Sequence, residues 1–172
     1  MNALLDAPIR KSATTPSNHA GLASILYAED NEALRRLSTL MLTRSGYVVT
    51  PVEDGLQAWQ ALHADHYDLL ITDNEMPRLT GVELIKRVRS ARMRLPVIVA
   101  SGTVNTEEVN QHRALDFAAT LLKPFTTDHL LEVIKEVLRF AGSADRRGSV
   151  FLPALAETFD EVRSPRYWGL NE

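Results

Sequence analysis

The 172-residue chain contains no cysteine. Disulfides, thiolate metal sites and thiol nucleophiles are therefore excluded together, and any chemistry must come from oxygen and nitrogen groups. A surplus of positive charge is also missing: 19 Lys and Arg stand against 22 Asp and Glu, for a net charge of −3. That balance offers none of the basic excess a nucleic-acid surface draws on. No hydrophobic run reaches the length of a membrane span, and aromatic residues make up only 6 %. The opening residues, MNALLDAPIRKSATTPSNHA, lack the apolar stretch of a secretory signal. Residues 1–22 are accordingly expected to be a flexible lead, the location cytoplasmic, and neither nucleic acid nor a membrane a partner. The remaining composition, 45 % hydrophobic and 24 % charged, suits a globular domain with one core.

Short apolar runs alternate with helical patterns. Ser24 to Ala28 reads as a strand, and Asn31-Glu32 then opens a segment with Leu34, Leu37, Leu40 and Met41 at helical spacing, ending near Ser45-Gly46. Tyr47 to Pro51 is short and β-branched, and Asp54-Gly55 starts a second helix through Leu56, Trp59 and Leu62. Leu69 to Asp73 is a third strand. Thr80-Gly81-Val82-Glu83 fits a capping box for a helix reaching about Ala91. Pro96 to Ala100 is wholly apolar, as expected of a strand covered on both faces. A short polar helix behind Asn105, a strand from Ala118 to Leu122, and a helix capped by Thr126 or Thr127 with Leu130, Ile134, Val137 and Leu138 on one face complete the order. Five strand-helix pairs over residues 23–140 predict an α/β domain: a doubly wound, five-stranded parallel sheet with helices on both faces. Residues 141–172 read as a linker, from Gly142 to Ser149, and a tail. In that tail Leu152, Leu155, Phe159 and Val162 fall at near-helical spacing, consistent with a short amphipathic helix docked on a surface or with plain disorder.

The chemistry-bearing residues fall at strand ends. Glu29 and Asp30 close the first strand, Asp73 the third, Ser101 the fourth and Lys123-Pro124 the fifth, which is where open parallel α/β sheets bind ligands. Each has a plainer reading alone: Glu29-Asp30 as a helix cap, Asp73-Asn74 as a turn ahead of Pro77, Ser101-Gly102 as a loop start, and Lys123-Pro124 as a strand end. Their convergence in one order favours a site. His19, His63, His66, His112 and His129 are scattered without metal-ligand spacing and read as surface or satisfied residues.

With YAEDN, LLITDNEMP, VIVASG and the KPF triplet in this order and spacing, residues 23 to 140 resemble a response-regulator receiver domain of two-component signalling, with its flavodoxin-like fold. The resemblance implies that Asp73 accepts a phosphoryl group from a sensor histidine kinase or histidine phosphotransfer protein. It implies that Glu29, Asp30, Asp73 and the backbone carbonyl of Glu75 hold Mg²⁺, and that Ser101 and Lys123 contact the phosphoryl oxygens. Such a domain is a phosphoacceptor switch rather than an enzyme, and its fourth helix, last strand and last helix commonly form a homodimer or partner face. Electrostatics agrees with these roles: two carboxylates about 5 Å apart repel by roughly 3 kcal/mol at an effective dielectric near 20, so a cluster of three needs cations. Mg²⁺, which prefers oxygen ligands and keeps several waters, suits such a set.

Two departures from the family stand out. Thr120 occupies the position usually held by Tyr or Phe, and Asp116-Phe117 replaces a common Gly-Ala. Alternatives remain in a pseudo-receiver that binds partners unphosphorylated, and in an aspartate-based Mg-dependent phosphatase in which Glu75 mimics the second acid. No insertion is large enough to supply that enzyme's cap.

Overall fold

The computed structural model describes residues 22–102 and 118–144. The lead, the helix expected behind Asn105, His19, His112, Asp116-Phe117 and the tail beyond Ala144 lie outside the described residues. Five strands form one parallel sheet: β1 (Ser24–Ala28), β2 (Val48–Val52), β3 (Leu69–Asp73), β4 (Val97–Ser101) and β5 (Ala119–Leu122), in the order β2-β1-β3-β4-β5. The helices are α1 (Glu32–Arg44), α2 (Gly55–Ala64), α3 (Gly81–Ser90) and α4 (Thr127–Ala144).

All residues of β3 and β4 are buried, which is why those runs show no polar alternation. β2 lies at the edge, where Val48 is half exposed and Pro51 is tolerated despite its missing amide. One core lies between the sheet and α1 and α4, around Ile25, Leu42, Ile71, Ile98, Leu121 and Ile134. A second, across the sheet, joins Leu26, Leu70 and Val99 to Leu84, Ile85 and Val88 of α3 and Ala58 of α2.

Local chemistry sets the helix ends. Asn31 caps α1 by accepting from the amides of Ala33 and Leu34. Asp54 caps α2 through the amide of Gln57, and Thr80 and Glu83 form the expected reciprocal box on α3. α1 closes on Gly46 at φ +92°, with the Tyr47 amide on the Leu42 carbonyl and the Gly46 amide on the Thr43 carbonyl. The same closure follows α3, but there the left-handed position belongs to Arg92, at φ +57°. Thr126 caps α4 by accepting from the His129 amide. α4 continues past the expected boundary at residue 140 and ends at Ala144.

The helical stripe that identifies α1 is not its buried face. Leu42 is its one fully buried residue, whereas Leu34, Leu37 and Leu40 are 43 %, 56 % and 48 % exposed.

Candidate functional site

The strand order reverses between β1 and β3, so the helices leaving these strands go to opposite faces and a crevice opens at their C-terminal ends. Glu29 and Asp30 follow β1 and Asp73 ends β3, placing all three acids at that crevice. Glu29 and Asp73 are buried, Asp30 is exposed, and each contributes a carboxylate oxygen to a group spanning no more than 4.8 Å. Among the described residues this is the one such cluster of potential metal ligands, and none of the described histidines joins it.

Lys123 enters from the end of β5. Its Nζ donates to Asp73 Oδ2 at 2.6 Å and to Glu29 Oε2 at 2.9 Å. Burial disfavours the ammonium, but hydrogen bonds and charge from Asp73 and Glu29 outweigh it and hold the Lys123 pKa above its ordinary value. Glu29 is raised, chiefly by burial and further by the charge of Asp73, while Lys123 and the Asn31 amide act against the rise. The ammonium is thus the resident countercharge, and one positive charge does not balance three carboxylates. An all-oxygen donor set that keeps a net negative charge at a partly open crevice fits a small hard cation such as Mg²⁺.

Backbone hydrogen bonds fix the site. The Asn74 amide donates to Ala100 O at 2.9 Å and the Lys123 amide to Ser101 O at 2.8 Å, tying β3, β4 and β5 together at their acting ends. Ser101 is buried beside them. The Glu75 amide donates to Asp73 Oδ1 at 3.2 Å, so both oxygens of that carboxylate are held. Gly81 permits this arrangement: a Cβ there would lie 2.3 Å from the Asp73 carbonyl oxygen.

All the strand-end residues singled out in the sequence, Glu29, Asp30, Asp73, Ser101 and Lys123, come to this end of the sheet, with the exposed Glu75 on the loop after β3. The cap reading of Glu29-Asp30 is superseded, since Asn31 does that work. Two contributors escaped the sequence reading. Arg35 donates to the carbonyl oxygens of Glu29 at 2.7 Å and Asp30 at 3.0 Å, fixing the backbone of the acid pair. A basic residue in the first turn after two strand-end acids was the available signal. Arg78 lies against Glu53 and the fully buried Asp54, pinning the loop after β3 to the start of α2; 24 residues separate it from Asp54, and no local pattern announces such a pair. Thr120 lies in β5 opposite Val99, half-buried.

The comparisons agree with this geometry. The family described as the response regulator receiver domain matches residues 25–135. The chain is 33 % identical over 125 residues to the transcriptional regulatory protein CseB of Streptomyces coelicolor, covering 71 % of this chain and 53 % of that protein. It is 30 % identical over 149 residues to the sensor protein EvgS of Escherichia coli K12, covering 87 % of this chain and 12 % of EvgS. The chain thus spans about half the length of one of these curated relatives and far less of the other. Among solved structures, a response regulator receiver protein from Pseudomonas putida superposes with a TM-score of 0.64 at 30 % identity, covering 68 % of this chain and 98 % of that one. The five-stranded parallel sheet, the strand-end acids and the lysine that bridges them are those of a signalling module, and this chain belongs to the response regulator receiver domain family.

Proposed function

We propose that Asp73 accepts a phosphoryl group from the phosphohistidine of a sensor histidine kinase or histidine phosphotransfer protein, making the domain a phosphorylation switch in a two-component relay. The observation that carries this reading is the Asp73 carboxylate itself, buried at the switch point and gripped by Lys123 at 2.6 Å beside two further acids.

One Asp73 oxygen attacks phosphorus, the P–N bond to the donor imidazole breaks with its electron pair returning to the ring nitrogen, and an acyl phosphate forms. Transfer of this kind depends on positioning and charge neutralisation more than on covalent chemistry by the protein. Lys123, poised on Asp73 Oδ2, follows the negative charge onto the phosphoryl oxygens. Ser101, buried at the end of β4 with its carbonyl bonded to the Lys123 amide, would contact the phosphoryl oxygens through its hydroxyl. Glu29, Asp30, Asp73 and the Glu75 carbonyl would hold Mg²⁺, which when bound supplies the remaining positive charge. Glu29 must be ionised for that role, and the raised pKa caused by its burial makes the cation its natural partner. The same reading places the protein in the cytoplasm; no helix among the described residues is long and apolar enough to cross a membrane. It also allows phosphorylated copies to pair through the expected fourth helix, β5 and α4.

Incubation with phosphoramidate and Mg²⁺, followed by intact mass, tests the reading. One phosphoryl adduct is expected, abolished by Asp73→Asn and by EDTA. Absence of the adduct would leave a partner-binding module that is not phosphorylated, and sustained turnover of a phosphomonoester would indicate a hydrolase.

A further inference from the structure

α1 presents more apolar surface than a solvated helix needs. Leu34, Leu37 and Met41, together with Pro124, Phe125 and Leu130 from the β5–α4 side, line a groove of about 380 Å³ whose lining also includes Glu29 and Lys123. Leu34, Leu37 and Leu40 account for three of the exposed large apolar side chains among the described residues, and none of these lies on β5 or α4. Among the described residues, the surface best suited to an amphipathic segment is therefore the α1–α4 groove. We propose that this groove is the docking site of the chain's own C-terminal segment, with Leu152, Leu155, Phe159 and Val162 laid along it as a helical stripe.

Two observations select this occupant. The first is pattern: the segment repeats its apolar residues at intervals of three and four, while Glu157, Asp160 and Glu161 fall on the opposite face and its flank, as in a helix with one side to bury. The second is reach. α4 starts beside the groove and runs 18 residues, or about 27 Å, to Ala144. Residues 145–151, extended, return over at most about 24 Å, which brings Leu152 back alongside α1 and α4. A second copy of the chain offers the same segment, but tethering supplies it at roughly millimolar effective concentration, so the intramolecular contact prevails at micromolar protein. The docking does not depend on Asp73 being phosphorylated, and its test does not use that reaction.

The absence of cysteine makes the test clean. Leu37→Cys paired with Phe159→Cys in the full chain, under mild oxidation, should form an intramolecular disulfide about tenfold faster than two control pairs, given a docked rather than merely tethered partner. The controls are Leu37→Cys with Glu157→Cys, on the segment's polar face, and Gln60→Cys with Phe159→Cys, on exposed α2 across the sheet. In the chain without introduced cysteines, Phe159→Glu should shift the Leu37 methyl resonances and leave those of Leu84, in the other core, in place. Equal rates for the three pairs, disulfide-linked dimers as the main product, or unmoved Leu37 methyls would each overturn the proposal.

Discussion

Replacing Lys123 by Met removes the one ammonium bonded to both Glu29 and Asp73 while keeping a stem of similar length. At an effective dielectric near 20, two carboxylates less than 5 Å apart repel by about 3 kcal/mol, and nothing in the metal-free variant offsets it. The penalty has a ceiling, because the site can instead bind a proton: neutralising a carboxyl with the ordinary Glu value of 4.5 costs about 3.4 kcal/mol at pH 7 and about 0.7 kcal/mol at pH 5. Burial already raises Glu29, which lowers the ceiling further. Lys123 is partly exposed, so solvent screening reduces the loss again. Urea unfolding in EDTA should therefore show Lys123→Met less stable than the parent by about 2 kcal/mol at pH 7 and by under about 1 kcal/mol at pH 5. Millimolar Mg²⁺ at constant ionic strength should recover part of the pH 7 loss, since a cation bound only by the native state stabilises it by mass action. A loss equal at the two pH values, or none at pH 7, would refute the account of Lys123 as the resident countercharge of the acid pair.

Gly81→Ala should cost more than about 2 kcal/mol in denaturant unfolding, because its Cβ would lie 2.3 Å from the Asp73 carbonyl oxygen and backbone must move to admit it. Arg92→Gly should raise stability by up to about 1 kcal/mol, since it relieves the left-handed strain of a side-chain-bearing residue at φ +57° after α3; an unchanged melting temperature would count against that strain. At high pH, Lys123, held above its ordinary 10.5, binds its proton more tightly in the native state than in the unfolded one. Its contribution should hold from pH 7 to about pH 10.5 and be lost as the pH rises through its higher native value, so parent and Lys123→Met stabilities should converge there; Tyr27, pushed up to about 12 by burial, acts with the same sign in both. Thr120→Ala should leave both the proposed phosphorylation and partner binding intact, because Thr stands here in place of the family's usual Tyr or Phe; loss of binding alone would assign the signal to Thr120 itself.

The sheet and the site were legible in the sequence for one reason: in a parallel sheet buried on both faces, periodicity marks the strands, and whatever polar residue ends each run is delivered to the same edge. Glu29, Asp73, Ser101 and Lys123 needed only their place in chain order, and the Thr80 and Asn31 caps only their immediate neighbours. What escaped depended on distance through space. The stripe Leu34, Leu37, Leu40 marked α1 as a helix but not which side faced the sheet, because Leu42, two residues beyond it, takes the core position. Periodicity reports that a helix has an apolar side; when a second apolar side exists, the packing partner decides which is buried. Arg78 shows the same gap at the level of charge. It adopts φ +67° in a tight turn in which the Leu79 amide reaches the Pro77 carbonyl, a conformation without favour for an arginine, and it is held there by acids on the connection from β2 to α2. The loop after β3 is therefore clamped from two directions, by Gly81 packed on the Asp73 backbone and by Arg78 anchored at Asp54. That clamping orients the Glu75 amide toward Asp73 Oδ1, so the position of the Asp73 carboxylate depends on residues whose own sequence neighbourhoods give no hint of it.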